Sequence, residues 1–249
     1  HGHLPWVHHP QHEEYLEEDW YLEALSETYL PLLIVLDDLA RDGVPVRLAV
    51  GLTPPLLEMF RSPSLREKAD RYLLARRDFA EQEVSRTTPD QPQHKAAAHY
   101  LKRFGQLRKY WETCDRDPIA AFRRHQDEGR LEILASCATH ALLPLLHTDA
   151  ARRAQIRIGV ELFREAFGKA PTGFWLPECA YMDGADAILA EEGIRWVVVE
   201  QHGVTGAHPA PPAGVHRPVV TPGGLYAFGR DPTSSRQVWA AEVGYPGDP

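Results

Sequence analysis

The octapeptide that decides the interpretation of this chain is Phe174-Trp175-Leu176-Pro177-Glu178-Cys179-Ala180-Tyr181. Residues 173–176 predict a short buried strand, and Glu178 follows directly after it. A carboxylate in that place can act as a nucleophile or a base, and the flanking rings can hold a sugar or another flat substrate. The alternative interpretation is a strand end that carries one solvated glutamate.

Strands and helices alternate on both sides of this octapeptide. Further buried strands are predicted at 47–51, 131–135 and 196–199, and helices at 21–41, 65–84, 94–113, 150–167 and 183–192. Pro31 is expected to bend or restart the first helix, and Thr53 and Pro54 carry the signature of a helix start. Such alternation indicates an α/β fold with a parallel sheet. The proline- and glycine-rich segment Gly203–Gly214 is expected to be a surface loop.

The composition limits the size and number of domains and the kinds of partner that the protein can bind. With 249 residues, 43% of them hydrophobic, the chain can form one large α/β domain or two small ones. Its net charge of −8 argues against nucleic acid and anionic membranes as partners, because phosphate binding needs clustered Lys and Arg. No apolar run approaches the ~18 residues of a membrane span. The three cysteines form no Cys-x-x-Cys pair, which favours a reducing, cytoplasmic location over a disulfide framework.

Polar residues follow the predicted strands with regularity. They are His1 and His3, Gly51–Pro54, Ser136–His140, Glu178, and Glu200–His202. Taken singly, each histidine is more readily explained as a structural residue. In a parallel barrel, however, the carboxyl ends of the strands meet at one face and carry the active site. The joint pattern therefore favours a functional site.

The residues alone leave two chemistries open. An His-x-His pair with later histidines and acids can bind zinc, which lowers the pKa of bound water to about 7. Alternatively, paired carboxylates can transfer a glycosyl group while histidines and aromatic rings hold the sugar. The aromatic setting of Glu178 favours carbohydrate.

At these positions the chain resembles glycoside hydrolase family 57. His1–Trp6 is similar to that family's first signature, Gly51–Pro54 to its second and Trp175–Glu178 to its third. The segments Ala138–His140, Gly193–Trp196 and 237–248 resemble the α-1,4-glucan branching enzymes of the family. The likeness spans nearly the whole chain, and the combination is far more specific than any one motif.

The resemblance implies a fold and a reaction. We expect 1–249 to be the N-terminal part of a single (β/α)7 catalytic barrel with a helical insertion around 60–127, its first strand and C-terminal portion lying outside the chain. The implied reaction is a retaining transfer on amylose- or glycogen-like α-glucans, with no metal or other cofactor. Glu178 would be the nucleophile. The implied substrate-binding residues are His1, His3, His140, Trp175, His202 and Trp239.

Three departures from the family pattern qualify this expectation. The family's general acid is an aspartate downstream of residue 249, and Asp248 is not that residue, so we expect this polypeptide alone to be inactive. Residues 203–214 contain no aromatic side chain, whereas branching enzymes can carry a shielding tyrosine there. Glu200 stands where the family usually has aspartate.

Four interpretations follow from the sequence. The first is an α-1,4-glucan branching enzyme, which would place the full-length protein in glycogen biosynthesis. The second is a 4-α-glucanotransferase or an α-amylase of the same family. The third is a zinc-dependent hydrolase built on His1 and His3, and the fourth is a non-catalytic glucan-binding remnant.

Overall fold

The computed structural model describes residues 1–240, apart from the side chain of Trp239. The chain divides into two compact units. The helical unit comprises Leu4–Ala49 and Pro55–Glu132, and the sheet unit comprises His1–His3, Val50–Pro54 and, among the described residues, 133–240. The sequence prediction of a single barrel domain with an insertion around 60–127 stays a prediction.

A π-helical turn interrupts the first long helix of the helical unit. Helix α1 (Glu18–Ala24) runs into the π-helical segment Leu25–Tyr29, and α2 (Leu30–Arg41) follows directly. Pro31 lies in the first turn of α2. Because proline has no backbone N–H, it cannot donate the helical hydrogen bond that an interior residue makes. The sequence predicted a bend or a restart at Pro31, and the structure shows a change from π- to α-helical hydrogen bonding at the residue before it.

Proline also begins the remaining helices of this region. They are α3 (Pro54–Arg61), α4 (Pro63–Arg86), α5 (Pro92–Thr113) and α6 (Pro118–Asp127). Proline suits the first helical position because the N–H it lacks would have no partner there. The predicted helices at 65–84 and 94–113 are confirmed, each starting two residues earlier than expected. The sequence interpretation missed α6, although Asp117 carries a capping signal: its Oδ1 accepts from the N–H of Ala120 at 3.2 Å.

Aromatic side chains fill the core of the helical unit. Trp111, Phe60 and Phe122 are fully buried, and Tyr29 meets Phe60 edge to face at 5.3 Å between ring centroids. The indole N–H of Trp111 donates to Asp70 Oδ1 at 2.9 Å, which ties α5 to α4. Each such side chain stabilises the fold by about 1.5–3 kcal/mol through burial.

Six strands form one sheet within the described residues. They are β1 (Leu48–Gly51), β2 (Leu131–Ser136), β3 (Gly173–Trp175), β4 (Trp196–Val199), β5 (Val219–Val220) and β6 (Tyr226–Gly229). The order is β1-β2-β3-β4-β6-β5. Strands β2, β3, β4 and β6 pair in parallel, and only the short edge strand β5 runs antiparallel to its neighbour. The predicted parallel α/β architecture is confirmed, whereas β5 and β6 were not foreseen.

Helices α7 (Asp149–Phe167), α8 (Ala185–Glu191), α9 (Gln201–Thr205) and α10 (Pro232–Trp239) complete the sheet unit. Helix α7 approaches the sheet so closely that a Cβ at Gly159 would overlap the carbonyl oxygen of Ser136. The surface loop expected at 203–214 begins with the last turn of α9, and α10 was not predicted. Within residues 1–240, no helix combines the length and the apolar character needed to cross a membrane.

Candidate active site

The strand registers bring the carboxyl ends of the parallel strands to one edge of the sheet. Ser136 lies beside Trp175, Trp175 beside Val198, and Val199 beside Gly229. The residues that follow these strands open onto a cavity of about 790 Å³. Its lining consists of His1, His3, His140, Trp175, Glu178, Cys179, Glu200, Arg230, Pro232, Ser235, Arg236 and Ala240.

The first three residues extend along the end of β1. Gly2 donates from its N–H to the Gly51 carbonyl at 2.6 Å, and Thr53 donates to the Gly2 carbonyl at 3.1 Å. Because side chains alternate along an extended segment, His1 and His3 project to the same side. Gly51 makes room for them, since a Cβ there would lie 2.7 Å from His1 Nδ1.

Four rings stack into an aromatic wall, defined as His1, His3, His140 and Trp175. His1 lies parallel to the Trp175 ring, with centroids 4.2 Å apart and planes 9° apart. His140 stacks on His3 at 3.9 Å and on His1 at 5.0 Å. The wall lines the cavity with aromatic rings and with the ring nitrogens of three histidines.

Ser136 sets the tautomer of His140. The Ser136 hydroxyl donates its single proton to the Trp175 carbonyl at 2.9 Å, and its oxygen lies 3.3 Å from His140 Nδ1. We therefore assign the ring proton to Nδ1, which leaves Nε2 as an acceptor. Burial, and secondarily the neighbouring His3, lower the pKa of His140 to about 4. The ring is consequently neutral at pH 7.

His3 is held in a similar electrostatic setting. Its Nδ1 lies 3.2 Å from the hydroxyl of the fully buried Thr53. Burial lowers the pKa of His3, and Glu178 opposes that shift. Two neutral rings can stack at this distance without the repulsion that two imidazolium ions would experience.

Glu178 occupies a turn with left-handed backbone, here called the Glu178 turn (residues 177–180). Its φ is 54° and its ψ is 23°, and the φ of Cys179 is also 54°. Such a conformation costs a non-glycine residue about 1–3 kcal/mol. Two hydrogen bonds close the turn, from Cys179 N to the Leu176 carbonyl at 2.8 Å and from Ala180 N to the Pro177 carbonyl at 3.1 Å.

The turn presents the Glu178 carboxylate to the cavity. Its side chain is 80% exposed, and Oε1 lies 3.8 Å from Nε2 of His140, whose side chain is 7% exposed. An exposed carboxylate thus faces the aromatic wall. This arrangement suits attack on a sugar that is held against the wall.

The sequence interpretation overlooked Arg230, and it placed Glu200 at a strand end without assigning it a role. Arg230 Nη1 donates to Glu200 Oε2 at 3.0 Å, and the N–H of Gln201 donates to Glu200 Oε1 at 3.1 Å. Burial raises the pKa of the Cys179 thiol, against the opposing effect of Arg230. Because β6 was not predicted, nothing in the sequence marked Arg230 as a strand-end residue.

The structure brings together five of the seven residues that the sequence singled out: His1, His3, His140, Trp175 and Glu178. His202 lies exposed on α9 and does not line the cavity. The side chain of Trp239 and the segment 244–248 lie outside the described residues. The roles assigned to all seven stay predictions. Within residues 1–240, no three His, Cys, Asp or Glu side chains are placed to hold a metal ion together.

Solved structures share this fold over nearly the whole chain. The alpha-amylase AmyC from Thermotoga maritima superposes with a TM-score of 0.93 at 42% sequence identity, over 99% of this chain and 47% of that chain. The branching enzyme of glycosyl hydrolase family 57 type from Pyrococcus horikoshii gives a TM-score of 0.89 at 32% identity, over 99% of this chain and 48% of that chain. The fold is thus that of the (β/α)7-type barrel enzymes.

Sequence relatives lead to the same family. A 1,4-alpha-glucan branching enzyme of Thermococcus kodakarensis is 32% identical over 100% of this chain and 40% of its own length. The chain thus spans less than half the length of these relatives. The family model described as glycosyl hydrolase family 57 matches residues 1–239. The chain therefore belongs to glycosyl hydrolase family 57.

Proposed function

We propose that Glu178 is the nucleophile of a retaining reaction on α-1,4-glucans and that the full-length protein is a 1,4-α-glucan branching enzyme. The observation that carries this proposal is the left-handed turn that presents an exposed Glu178 carboxylate 3.8 Å from a neutral His140. The branching enzymes among the relatives support the choice of reaction.

The proposed reaction has two steps. The Glu178 carboxylate attacks the anomeric carbon of a donor glucan, the bond to the leaving 4-oxygen breaks, and a general acid protonates that oxygen. The 6-hydroxyl of an acceptor glucan then attacks the glycosyl ester. It gives its proton to the same residue, forms the α-1,6 bond and frees Glu178. The family resemblance implies that the general acid is an aspartate.

The remaining residues of the site bind and orient the donor sugar. Trp175 lines the cavity, and the part of its ring that His1 leaves uncovered offers an apolar surface to a glucose unit. His140 Nε2 accepts a hydrogen bond from a sugar hydroxyl, and His1 and His3 offer further ring nitrogens. We propose His202 and Trp239 as substrate-binding residues on the family resemblance. The scheme needs no metal or other cofactor.

A single substitution tests the nucleophile. In the full-length protein, Glu178→Gln removes the charge but keeps the shape, and we expect the transfer rate on amylose to fall by at least about 10³-fold. New α-1,6 linkages are counted by proton NMR. Glu191→Gln is the matched control, because Glu191 is a surface residue of the sheet unit paired with Arg153. An E178Q protein that still transfers glucan refutes the assignment.

The second candidate function is that of an α-amylase. Two observations favour it: the 42% identity to the Thermotoga maritima alpha-amylase, and the absence of any aromatic residue from 203–214. Without a shield, water reaches the glycosyl ester more readily than a second glucan does. The ratio of new reducing ends to new α-1,6 linkages, measured on one amylose digest, decides between hydrolysis and branching.

Branching would place the protein in glycogen biosynthesis, acting on amylose- or glycogen-like chains. We also propose a cytoplasmic location. The free thiols of Cys114, Cys137 and Cys179 suit a reducing compartment. Fractionation of the source cells, with detection by antibody, tests this location.

A further inference from the structure

Two consecutive left-handed residues need support from outside their own turn. The hydrogen bonds within residues 176–180 close the Glu178 turn, yet Glu178 and Cys179 still carry side chains in a backbone region that favours glycine. Such conformations persist where neighbouring structure holds them in place. The elements that flank β3 are therefore the place to look for that support.

One support comes from the end of β4. The N–H of Glu200 donates to the carbonyl of Cys179 at 3.1 Å, so the residue after β4 is bonded to the turn after β3. The Glu200 carboxylate is itself fixed at both oxygens, by Gln201 N at 3.1 Å and by Arg230 Nη1 at 3.0 Å.

The second support comes from the end of β6. Val199 pairs with Gly229, and the N–H of Arg230 donates to the Val199 carbonyl at 3.0 Å. This register places Arg230 beside Glu200, with both side chains about a third exposed at the cavity. The guanidinium also lies near enough to the Cys179 thiol to oppose the rise in its pKa that burial causes. Arg230 thus contacts Glu200, the residue that is hydrogen-bonded to the turn.

We infer that Arg230 is a positioning residue for the reaction, and that it holds the Glu178 turn in place through Glu200, whose N–H is bonded to the carbonyl of Cys179. The inference rests on the proposed role of Glu178 as nucleophile. In the same position, the guanidinium also neutralises the Glu200 carboxylate, which would otherwise add a second uncompensated negative charge to a cavity that contains Glu178.

The test compares five variants of the full-length protein. Arg230→Met keeps most of the stem and removes the charge, Arg230→Lys keeps the charge without the planar fork, and Glu200→Gln removes the partner's charge. The double variant R230M/E200Q completes the cycle. Arg157→Met is the matched control, because Arg157 forms an ion pair of the same type with Glu192 in the sheet unit, at 2.9 Å.

We expect the kcat of R230M on amylose to fall on the order of 10²-fold, with KM within about twofold of the wild type, because a displaced nucleophile slows the chemical step. R230K recovers part of the loss. The double variant is no slower than R230M, since both changes break one linkage. R157M behaves as the wild type. A raised KM at unchanged kcat, or additive losses in the double variant, overturns the inference.

A second measurement does not depend on activity. Hydrogen–deuterium exchange of a peptide that covers residues 176–182 reports on the amides of Cys179 and Ala180. We expect exchange about tenfold faster in R230M than in the wild type and unchanged in R157M. Equal exchange in R230M and wild type refutes the positioning role. A wild-type protein that transfers no glucan refutes the proposed function instead, while exchange still decides whether Arg230 holds the turn.

Discussion

His140 in the sheet unit and His125 in the helical unit have similar electrostatics and different surroundings. Burial lowers the pKa of each to about 4, and their side chains are 7% and 0% exposed. Both nitrogens of His125 face charged partners: Arg130 Nε donates to Nδ1 at 2.8 Å, and Asp37 Oδ1 lies 3.2 Å from Nε2. His140 instead directs Nε2 towards the cavity and Glu178. A lowered pKa therefore identifies burial, whereas an available ring nitrogen identifies a candidate for chemistry.

Removal of each histidine provides the sharpest test of this difference. In the full-length protein, we expect His140→Ala to lower kcat/KM by about 10²–10³-fold, because a hydrogen bond at the reacting sugar is lost. His125→Ala leaves the rate nearly unchanged. The His125→Ala substitution instead lowers the free energy of unfolding by about 1–3 kcal/mol, because Arg130 and Asp37 lose a buried partner. Steady-state kinetics and urea unfolding of both variants check the two expectations.

The proposed difference between the two histidines is wrong if His125→Ala lowers the rate and His140→Ala lowers only the stability. A His125→Ala protein that folds as the wild type does but loses its activity would place chemistry in the helical unit. His125→Gln, which keeps a side chain of similar size, separates a loss of packing from a loss of function if the alanine variant fails to fold.

Two glycine-to-alanine substitutions, one in each unit, test the same difference between the site and the helical unit. Gly51→Ala introduces a Cβ 2.7 Å from His1 Nδ1, so His1 must leave its place in the aromatic wall. We expect kcat/KM to fall about tenfold, a modest case of the loss that misplacement causes. Gly105→Ala, within α5, meets no atom within 4 Å and should raise stability by about 0.5–1 kcal/mol without a change in rate. Unchanged kinetics in G51A would show that His1 does not need its present position.

The comparison also shows what the sequence could and could not predict. Apolar and β-branched runs mark β2 and β4, and the aromatic and apolar residues 173–176 mark β3. The parallel sheet and the strand ends with His140 and Glu178 could therefore be predicted. Arg230 could not, because its place depends on the register of β6, a strand of four residues with no strong pattern. The left-handed backbone of Glu178 gave no signal either, since glutamate is not a residue that favours it. His202 was chosen for its place after the predicted strand 196–199 and by resemblance, and its side chain does not line the cavity.

The pH dependence of stability should be alike for the two histidines, in contrast to their effects on rate. Each has a folded pKa of about 4 against an ordinary value of 6.5. Between these two pH values the imidazole is protonated in the unfolded chain and neutral in the folded protein. The free energy of unfolding therefore falls as the pH falls from 6.5 to about 4. We expect His140→Gln and His125→Gln each to flatten this slope. Urea unfolding at pH 4.5, 5.5 and 7.5 measures it, and a steeper slope in either variant would contradict the assignment.

Metal removal is the test with the smallest expected effect, and it addresses the zinc alternative raised by His1 and His3. A metal ion lies near the ring plane of each histidine ligand, at about 2.0–2.1 Å from the nitrogen. The wall has the opposite arrangement: His3 and His140 stack with planes 26° apart, and His1 and His3 with planes 16° apart. Nitrogen lone pairs of such rings run side by side instead of converging. We therefore expect a chelator to leave the transfer rate of the full-length protein unchanged, with less than stoichiometric zinc by mass spectrometry. Loss of activity on chelation, restored by zinc, would show that the rings rearrange to bind the ion, and Glu178 would then need a different role.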